Sequence, residues 1–364
     1  METNLKQFIV IIQARTASTR LPNKVLAKIG EKTLIQLLIE RVKSCKLIDE
    51  IVLATTKDTS DDYLAEHVKN LGIRVTRGSS ENVLSRFCLA AKKSPASNYI
   101  RITGDCPLID PLLISKTLEF YLSSNFDYVS NCNPPTYADG LDVEVFSKDC
   151  LFNANLLSNS KFEKEHVTPW IRNNKNLKIG CLKNSFDFSN SRWTVDEKED
   201  LNLVELIFKH FNNKINFSWE EILEFEKNNP ELFSINKKYK RNEGSLIPTG
   251  EKYWRRAKKV IPGGSMLLSK RSEIFLPGKW PAYFSKTKGC HVWDLDNNKY
   301  IDIYLMGVGT NLLGYSNSRV DEAVKETINK GNLSTLNCPE EVLLAEKLIE
   351  INPWADMARF ARTG

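Results

Sequence analysis

From residue 8 to about 130 the chain alternates between two hydrophobic periods, and this alternation restricts its fold more than any other feature. Runs rich in β-branched residues, FIVIIQA (8–14), EIVLATT (50–56), IRVTRG (73–78), NYIRITG (98–104) and FDYVSNC (126–132), read as strands. Between them stand LIQLLIERVKSC (34–45), DDYLAEHVKNLG (61–72), ENVLSRFCLAAKK (81–93) and PLLISKTLEFYLSS (111–124), whose apolar residues recur at helical spacing. Strand, helix and strand in succession call for crossover connections, hence a parallel sheet covered on both faces. The expected class is α/β, a Rossmann-like, doubly wound, mostly parallel sheet. Ligands of such sheets sit beyond the carboxyl ends of the strands, so the segment after the first strand is where chemistry is expected.

After residue 131 the pattern loosens. Turn-rich NCNPPTYADGLD, a strand at VEVF, a helix near EHVTPWIRNN and strand candidates around KIGCLKN suggest a small lid or substrate-binding insertion up to about 200. Two amphipathic segments follow, DLNLVELIFKHF and SWEEILEFEKNNPEL. The charged, aperiodic stretch 236–250 reads as a linker, giving a first domain over 1–235 and a second segment over 251–364. Lys237, Lys238, Lys240 and Arg241 continue into Lys252, Arg255, Arg256, Lys258 and Lys259. A solvated linker and the polar face of a helix account for this basic run as well as an anionic partner does.

Bulk properties narrow the function. A hydrophobic share of 41% over 364 residues is that of packed globular protein. The balance of 51 basic against 45 acidic residues, +6 overall, does not call for nucleic acid. No apolar stretch approaches the roughly 18 residues of a membrane span. The first twelve residues carry Lys6 as their only cation and no small-residue cleavage site, so they read as a first strand rather than a signal peptide. The 8 cysteines form no CxxC pair and stand at no zinc spacing with histidine, which suits reduced thiols in the cytoplasm.

IIQARTASTRLPNKVL (11–26) crowds Arg15, Arg20 and Lys24 into the turn after the first strand. Three cations in so small a space repel unless an anion neutralises them, and a nucleoside triphosphate is such an anion. The segment is neither a Walker loop nor GxGxxG, and no GxSxG points to acyl chemistry. The plain alternative is a surface connection with three solvated cations.

The stretch QARTASTRLPNKVL resembles the ARxxSxRLPxKxL signature of cytidylyltransferase-like sugar nucleotidyltransferases. That group includes spore-coat polysaccharide cytidylyltransferases and relatives that make CMP-activated acidic sugars. The resemblance continues through RGSSENVLSRF (77–87), RITGDCPLIDP (101–111), ADGLDVEVF (138–146), EHVTPWI (165–171) and RWTVDEKEDL (192–201), over roughly residues 7–235. It implies that Arg15, Arg20 and Lys24 grip the phosphates, that Gln13, Ala14, Ser18 and Gly78 line the nucleotide, and that Asp105 and Asp196 hold Mg²⁺. It implies further that Asp142, Glu144 and His166 face the acceptor sugar, and it departs from the family at Asn82, where aspartate is common. Read without the resemblance, Asp105 and Asp196 suit helix caps. Asp142 and Glu144 suit a solvent-facing strand edge, and His166 a polar helix residue.

From Tyr253 a second resemblance begins. YWRRAKKVIPGGSMLLSKR, PAYFSKTKGCHVWDLDNNKYIDIYLMGVGTNLLGY and EEVLLAEKLIEINPWADMARFARTG are similar to the amino-terminal part of class III aminotransferases, close to glutamate-1-semialdehyde aminomutases. HVWDLD and KYIDIYLMG around NN form a hairpin by pattern, so this segment is expected to be a partial α+β fold. Pyridoxal phosphate (PLP) chemistry needs a Schiff-base lysine and a partner for the pyridine nitrogen. Neither is assigned before the sequence ends at Arg362, Thr363 and Gly364, so PLP is expected only with a further downstream part. The resemblance also implies homodimers.

The expected activity is Mg²⁺-dependent nucleotidyl transfer, from CTP or another nucleoside triphosphate, to a sugar or sugar acid with release of pyrophosphate. The alternative is part of a bifunctional PLP enzyme acting on an amino sugar. Limited proteolysis is expected to leave one stable core ending near residue 236. A protease-resistant full chain would count against an incomplete second segment.

Overall fold

The computed structural model describes residues 7–18, 20–241, 248–304, 306–307, 309–331 and 335–361. The chain divides into two compact units, Met1–Leu246 and Ile247–Gly364. In the first, β1 (Phe8–Gln13) is followed by the short hairpin β2 (Lys28–Ile29) and β3 (Lys32–Thr33), then α1 (Leu34–Lys43), β4 (Glu50–Thr56), α2 (Asp62–Asn70), β5 (Arg74–Gly78), α3 (Val83–Lys92), β6 (Asn98–Thr103) and α4 (Pro111–Ser123). Next come β7 (Tyr128–Ser130), β8 (Glu144–Ser147), α5 (Lys148–Leu157), α6 (Lys161–His166), α7 (Pro169–Asn173), β9 (Ile179–Cys181), α8 (Lys198–His210) and α9 (Trp219–Asn228).

Among the described residues the main sheet has 7 strands in the order β5-β4-β1-β6-β8-β7-β9. β1 pairs in parallel with both β4 and β6, and β4 with β5, while β8 runs antiparallel to β6 and β7. The sheet is therefore mostly parallel, as the alternating periods require. Chain order reverses between β1 and β6, so the cleft of a doubly wound sheet opens beyond Gln13 and Thr103. Ile9, Ile11 and Val52 pack under α3 on one face, while Val10, Ile12 and Leu53 pack under α1 on the other. Strands buried on both faces have no polar side to show, which is why β1 reads as an unbroken apolar run.

The region read as an insertion contributes directly to this sheet. VEVF becomes β8, lodged between β6 and β7, and KIGCLKN supplies β9 at the edge. The single helix expected at EHVTPWIRNN is broken in two, because Val167 takes φ 70°, ψ −56° between α6 and α7. α5 had no sequence expectation; Ser147 caps it by accepting from the Cys150 amide.

Part of the stretch read as a linker, 242–247, lies outside the described residues. The preceding residues pack into the first unit. Asn236 is buried and donates from Nδ2 to the Arg192 carbonyl at 3.0 Å and to Asp200 Oδ1 at 2.8 Å. Arg241 Nη1 donates to the Tyr137 carbonyl at 2.9 Å, and Nη2 pairs with Asp142.

The second unit contains α10 (Thr249–Val260), α11 (Ser272–Phe275), the antiparallel strands β10 (Phe284–Lys288), β11 (His291–Asp294) and β12 (Lys299–Ile301), then α12 (Ser318–Lys330) and α13 (Pro339–Ile351). The hairpin expected around NN forms, with Asn297 at φ 64° and Asp294 Oδ1 accepting the amides of Asp296 and Asn298 at 2.9 Å each. Val320, Val324 and Ile328 line one face of α12 and are exposed, as are Val342, Leu343 and Leu344 on α13. Among the described residues no helix is long and apolar enough to cross a membrane.

A fragment ending at Arg241 is expected to unfold in urea at nearly the midpoint of the same unit in the full chain. One ending at Ile235 should lose about 1–3 kcal/mol, because Asp200 and the Arg192 carbonyl lose the Asn236 donor. Residues 248–364 expressed alone should elute from size exclusion as aggregates.

Candidate active site

The turn after β1 is shaped by a residue that sequence reasoning did not single out. Asp61 is buried at the start of α2, and its Oδ1 accepts from the Thr16 amide at 2.7 Å and the Thr16 hydroxyl at 2.6 Å. Its Oδ2 accepts from the Thr55 hydroxyl at 3.0 Å and the Thr56 amide at 3.2 Å. Burial works to raise its pKa, but these donors win and hold it below the usual carboxylate range. The Thr16 carbonyl then accepts the amides of Ser18 at 2.8 Å and Asn23 at 3.0 Å, closing the turn. Asn23, at φ 59°, leads into a 3₁₀ turn over Lys24–Leu26 that aims Lys24 inward.

Lys24 is buried. Its Nζ donates to Asp105 Oδ2, Asp196 Oδ1 and the Val195 carbonyl, each at 2.8 Å. Burial opposes its charge, yet Asp105 and Asp196 outweigh that and raise its pKa. Asp105 is likewise desolvated, and the Lys24 charge and hydrogen bond hold its carboxyl well below the ordinary value. Arg20 Nη2 reaches the same Asp196 Oδ1 at 2.8 Å, and its Nη1 lies 3.5 Å from Glu197. The crowding of cations seen in the sequence is thus relieved by carboxylates from two distant segments. Arg15 turns the other way, donating from Nη1 to the Ser80 carbonyl at 3.1 Å, with Glu165 3.9 Å from Nη2.

Neither aspartate caps a helix. Asp110 caps α4, accepting the Leu112 amide at 2.7 Å and the Leu113 amide at 2.9 Å. Glu197 and Asp200 form the capping box of α8. Asp105 reaches the cleft because Gly104 lies against β1, its amide bonded to the Gln13 carbonyl at 2.8 Å. A Cβ on Gly104 would come within 2.6 Å of the Ala14 Cβ. Asp196 is aimed by Arg192, whose Nη2 donates to Asp196 Oδ2 at 3.3 Å and to the buried Asp200 Oδ2 at 2.8 Å. Asp200 Oδ2 also accepts the Asp196 amide at 3.0 Å.

The other expected site residues divide. Ala14 is buried beneath Gly104, and Ser18 Oγ accepts the Leu21 amide at 3.3 Å within the turn. Gln13 Oε1 accepts from Arg101 Nε at 3.0 Å, which turns it toward the Arg101–Glu144 pair. Gly78 ends β5, where a Cβ would lie 2.7 Å from Arg86 Cγ. Asn82 caps α3, its Oδ1 accepting the Ser85 amide at 2.9 Å. Arg86, absent from the sequence reading, is buried with Nε and Nη1 unpaired, and burial together with Arg15 pushes it down to about 10.

Asp142 and Glu144 do not share one environment. The Asp142 side chain is 29% exposed and paired with Arg241. That of Glu144 is 3% exposed, sits within the sheet rather than at an edge, and is paired with Arg101. Glu144 Oε1 also accepts from the Tyr128 hydroxyl at 2.6 Å and the Thr168 hydroxyl at 2.7 Å. With its oxygens so engaged, Glu144 braces β8 against β6, β7 and the start of α7. Thr168 carries the brace to His166, because its amide donates to the His166 carbonyl at 2.8 Å across Val167. This is a γ-turn with positive φ at its centre, a strained form. His166 ends α6, its ring 4.5 Å from that of Phe162.

The two aspartates suit one divalent cation. Both already converge on a single positive nitrogen, and Mg²⁺ takes one or two carboxylates and completes its shell with phosphate oxygens and water. Among the described residues no group of three acidic, histidine or cysteine side chains offers a fuller protein cage.

A sequence model described as cytidylyltransferase matches residues 9–239. The spore coat polysaccharide biosynthesis protein SpsF of Bacillus subtilis is 32% identical over 235 residues, 62% of this chain and 97% of that protein. A solved cytidylyltransferase from Leptospira borgpetersenii is 31% identical with a TM-score of 0.60, covering 62% of this chain and 96% of its own. In the carboxyl-terminal region, glutamate-1-semialdehyde 2,1-aminomutase of Methanococcoides burtonii is 38% identical over 85 residues, 23% of this chain and 20% of that enzyme.

Because Asp61 is held ionised, its contribution to stability is present above the unfolded value of about 3.9 and is lost as pH falls through the lowered folded value. Asp61→Asn should cost about 2–3 kcal/mol at pH 7 in urea unfolding. The gap to the parent should narrow below about pH 4.

Proposed function

Since residues 9–239 make the chain a member of the cytidylyltransferase family, we propose that it transfers a cytidylyl group from CTP to a sugar or sugar acid. Mg²⁺ is the proposed metal, pyrophosphate the second product, and a surface polysaccharide or glycan the destination. The observation that carries the reading is the meeting of Arg20 and Lys24 with Asp105 and Asp196 beyond β1 and β6. The name of the Bacillus relative supports a polysaccharide setting. A cytoplasmic location, where thiols stay reduced, belongs to the same proposal.

In the reaction an acceptor oxygen attacks the α-phosphorus, a new P–O bond forms, and the bond to the bridging oxygen of the leaving pyrophosphate breaks. Negative charge grows on that bridge, so cations fixed in advance lower the barrier more than cations that must be gathered. The backbone that carries Arg20 and Lys24 is fixed in this way, since the turn is anchored through Thr16 on Asp61. Arg15 clasps the 79–82 loop through Ser80, which sets the distance between the two walls of the nucleotide site. Asp105 and Asp196 would hold the Mg²⁺, which neutralises phosphate charge when bound.

On the acceptor side Asp142 is the carboxylate open to a hydroxyl, and burial raises its affinity for the proton which that hydroxyl loses. Glu144 and Thr168 act as positioning residues for His166. No residue of 248–361 is assigned to pyridoxal phosphate, and Arg362, Thr363 and Gly364 lie outside the described residues. The stretch matching the aminomutase spans about a fifth of that enzyme.

Pyrophosphate release should be fastest with CTP among the four nucleotides, given a panel of phosphorylated and nine-carbon acidic sugars read by mass spectrometry. Asp105→Asn should lower turnover by about 100-fold or more while far-ultraviolet circular dichroism is unchanged. Lys24→Ala should weaken CTP binding measured by calorimetry. Unchanged turnover in Asp105→Asn would remove Asp105 from the metal site, and no pyrophosphate with any nucleotide would sink the reading.

A further inference from the structure

Lys24 uses all of its hydrogen-bonding capacity between the two aspartates. An ammonium has three N–H groups, and they point at Asp105 Oδ2, Asp196 Oδ1 and the Val195 carbonyl, each 2.8 Å away. If Asp105 and Asp196 are the protein ligands of a divalent ion, these are the two oxygens that converge on one point, Asp196 Oδ2 being held by Arg192. An ion bound at about 2.0–2.1 Å from both oxygens competes with an ammonium for the same lone pairs. Two positive centres that close would also repel strongly in a partly buried site.

Of the groups around this pair, Lys24 is the one built to leave. The backbone that carries it is pinned through Asn23 and Thr16 to Asp61, yet its side chain is a flexible four-carbon stem ending in a compact charge. The guanidinium of Arg192, by contrast, is fixed by Asp139 at 3.0 Å and by Asp200 at 2.8 Å as well as by Asp196. Arg20 reaches Asp196 alone of the two aspartates.

We propose that Lys24 is an internal counter-cation for Asp105 and Asp196, one that excludes a free divalent ion from the pair until a triphosphate draws the ammonium onto its own oxygens. The inference rests on the metal assignment of the preceding section and adds to it a binding order. Free metal is refused, and metal is accepted together with the nucleotide. Lys24 is then both the gate to the carboxylates and a grip on the phosphates, since the motion that opens the one supplies the other.

The test uses the full chain, stripped of metal and titrated with Mn²⁺ alone, with free Mn²⁺ read by electron paramagnetic resonance. The parent should bind weakly, and Lys24→Met should bind at least about tenfold more tightly, a change equivalent to about 1.4 kcal/mol. Adding Asp105→Asn to Lys24→Met should abolish the gain. Mn²⁺ should raise the melting temperature of Lys24→Met more than that of the parent, because the variant leaves two carboxylates without their cation. If Lys24→Met does not fold, Lys24→Gln, which keeps an N–H donor and removes the charge, should show the same direction of change. Equal Mn²⁺ affinity in the parent and the folded variant overturns the proposal, while Mg²⁺-dependent turnover in the parent would still uphold the metal assignment. Turnover that persists in the presence of a chelator would overturn both.

Discussion

The first unit is organised around one ammonium group. Lys24 Nζ joins the turn after β1 to Asp105 after β6 and to the Val195–Asp196 segment before α8, three stretches far apart in sequence. A buried charge is tolerable only when its partners are in place, so each stretch depends on the other two for its position. The switch point of the sheet supplies the cleft, and this contact gives the cleft its chemistry.

A second layer of charge keeps that contact true. Arg192 binds Asp139, Asp196 and Asp200, while Asp200 also accepts from Asn236 and from the Asp196 amide. Asp196 is thus aimed by a network that reaches into the segment after α9. Arg241 extends the network to Asp142 and the Tyr137 carbonyl, on the side proposed for the acceptor. The positions proposed for metal, phosphate and acceptor are in this way mechanically related, although no single element contains all three.

The sheet was legible because its signal is local. The apolar run of β1 and the helical spacing of α1 to α4 depend on neighbours a few positions away. The crowding of Arg20 and Lys24 was legible for another reason, since cations gathered after a strand are costly without counter-charge. Asp105 and Asp196, by contrast, suit helix caps by pattern alone and stand out only through the family resemblance, and Arg15 lies against Ser80 and Glu165 instead. What escaped depends on distant partners. Asp61 looks like one more acid in TSDD until Thr16 arrives from 45 positions away. Asn236 and Arg241 lie in a basic, aperiodic stretch, and composition cannot distinguish a tether from a strap whose partners are Asp200 and Asp142. Glu144 alternates along its strand just as an edge residue would; only the insertion of β8 between β6 and β7 buries it.

The kink at Val167 ties the end of α6 to the interior of the sheet. A β-branched residue stays at φ 70° only while its surroundings insist, and here the insistence comes from Thr168 clasped to Glu144. Loss of the bond between the Thr168 hydroxyl and Glu144 would release the backbone that holds the short helix ending in His166. The buried pair Glu144 and Thr168 should therefore tolerate less drift over evolutionary time than the exposed residues around it.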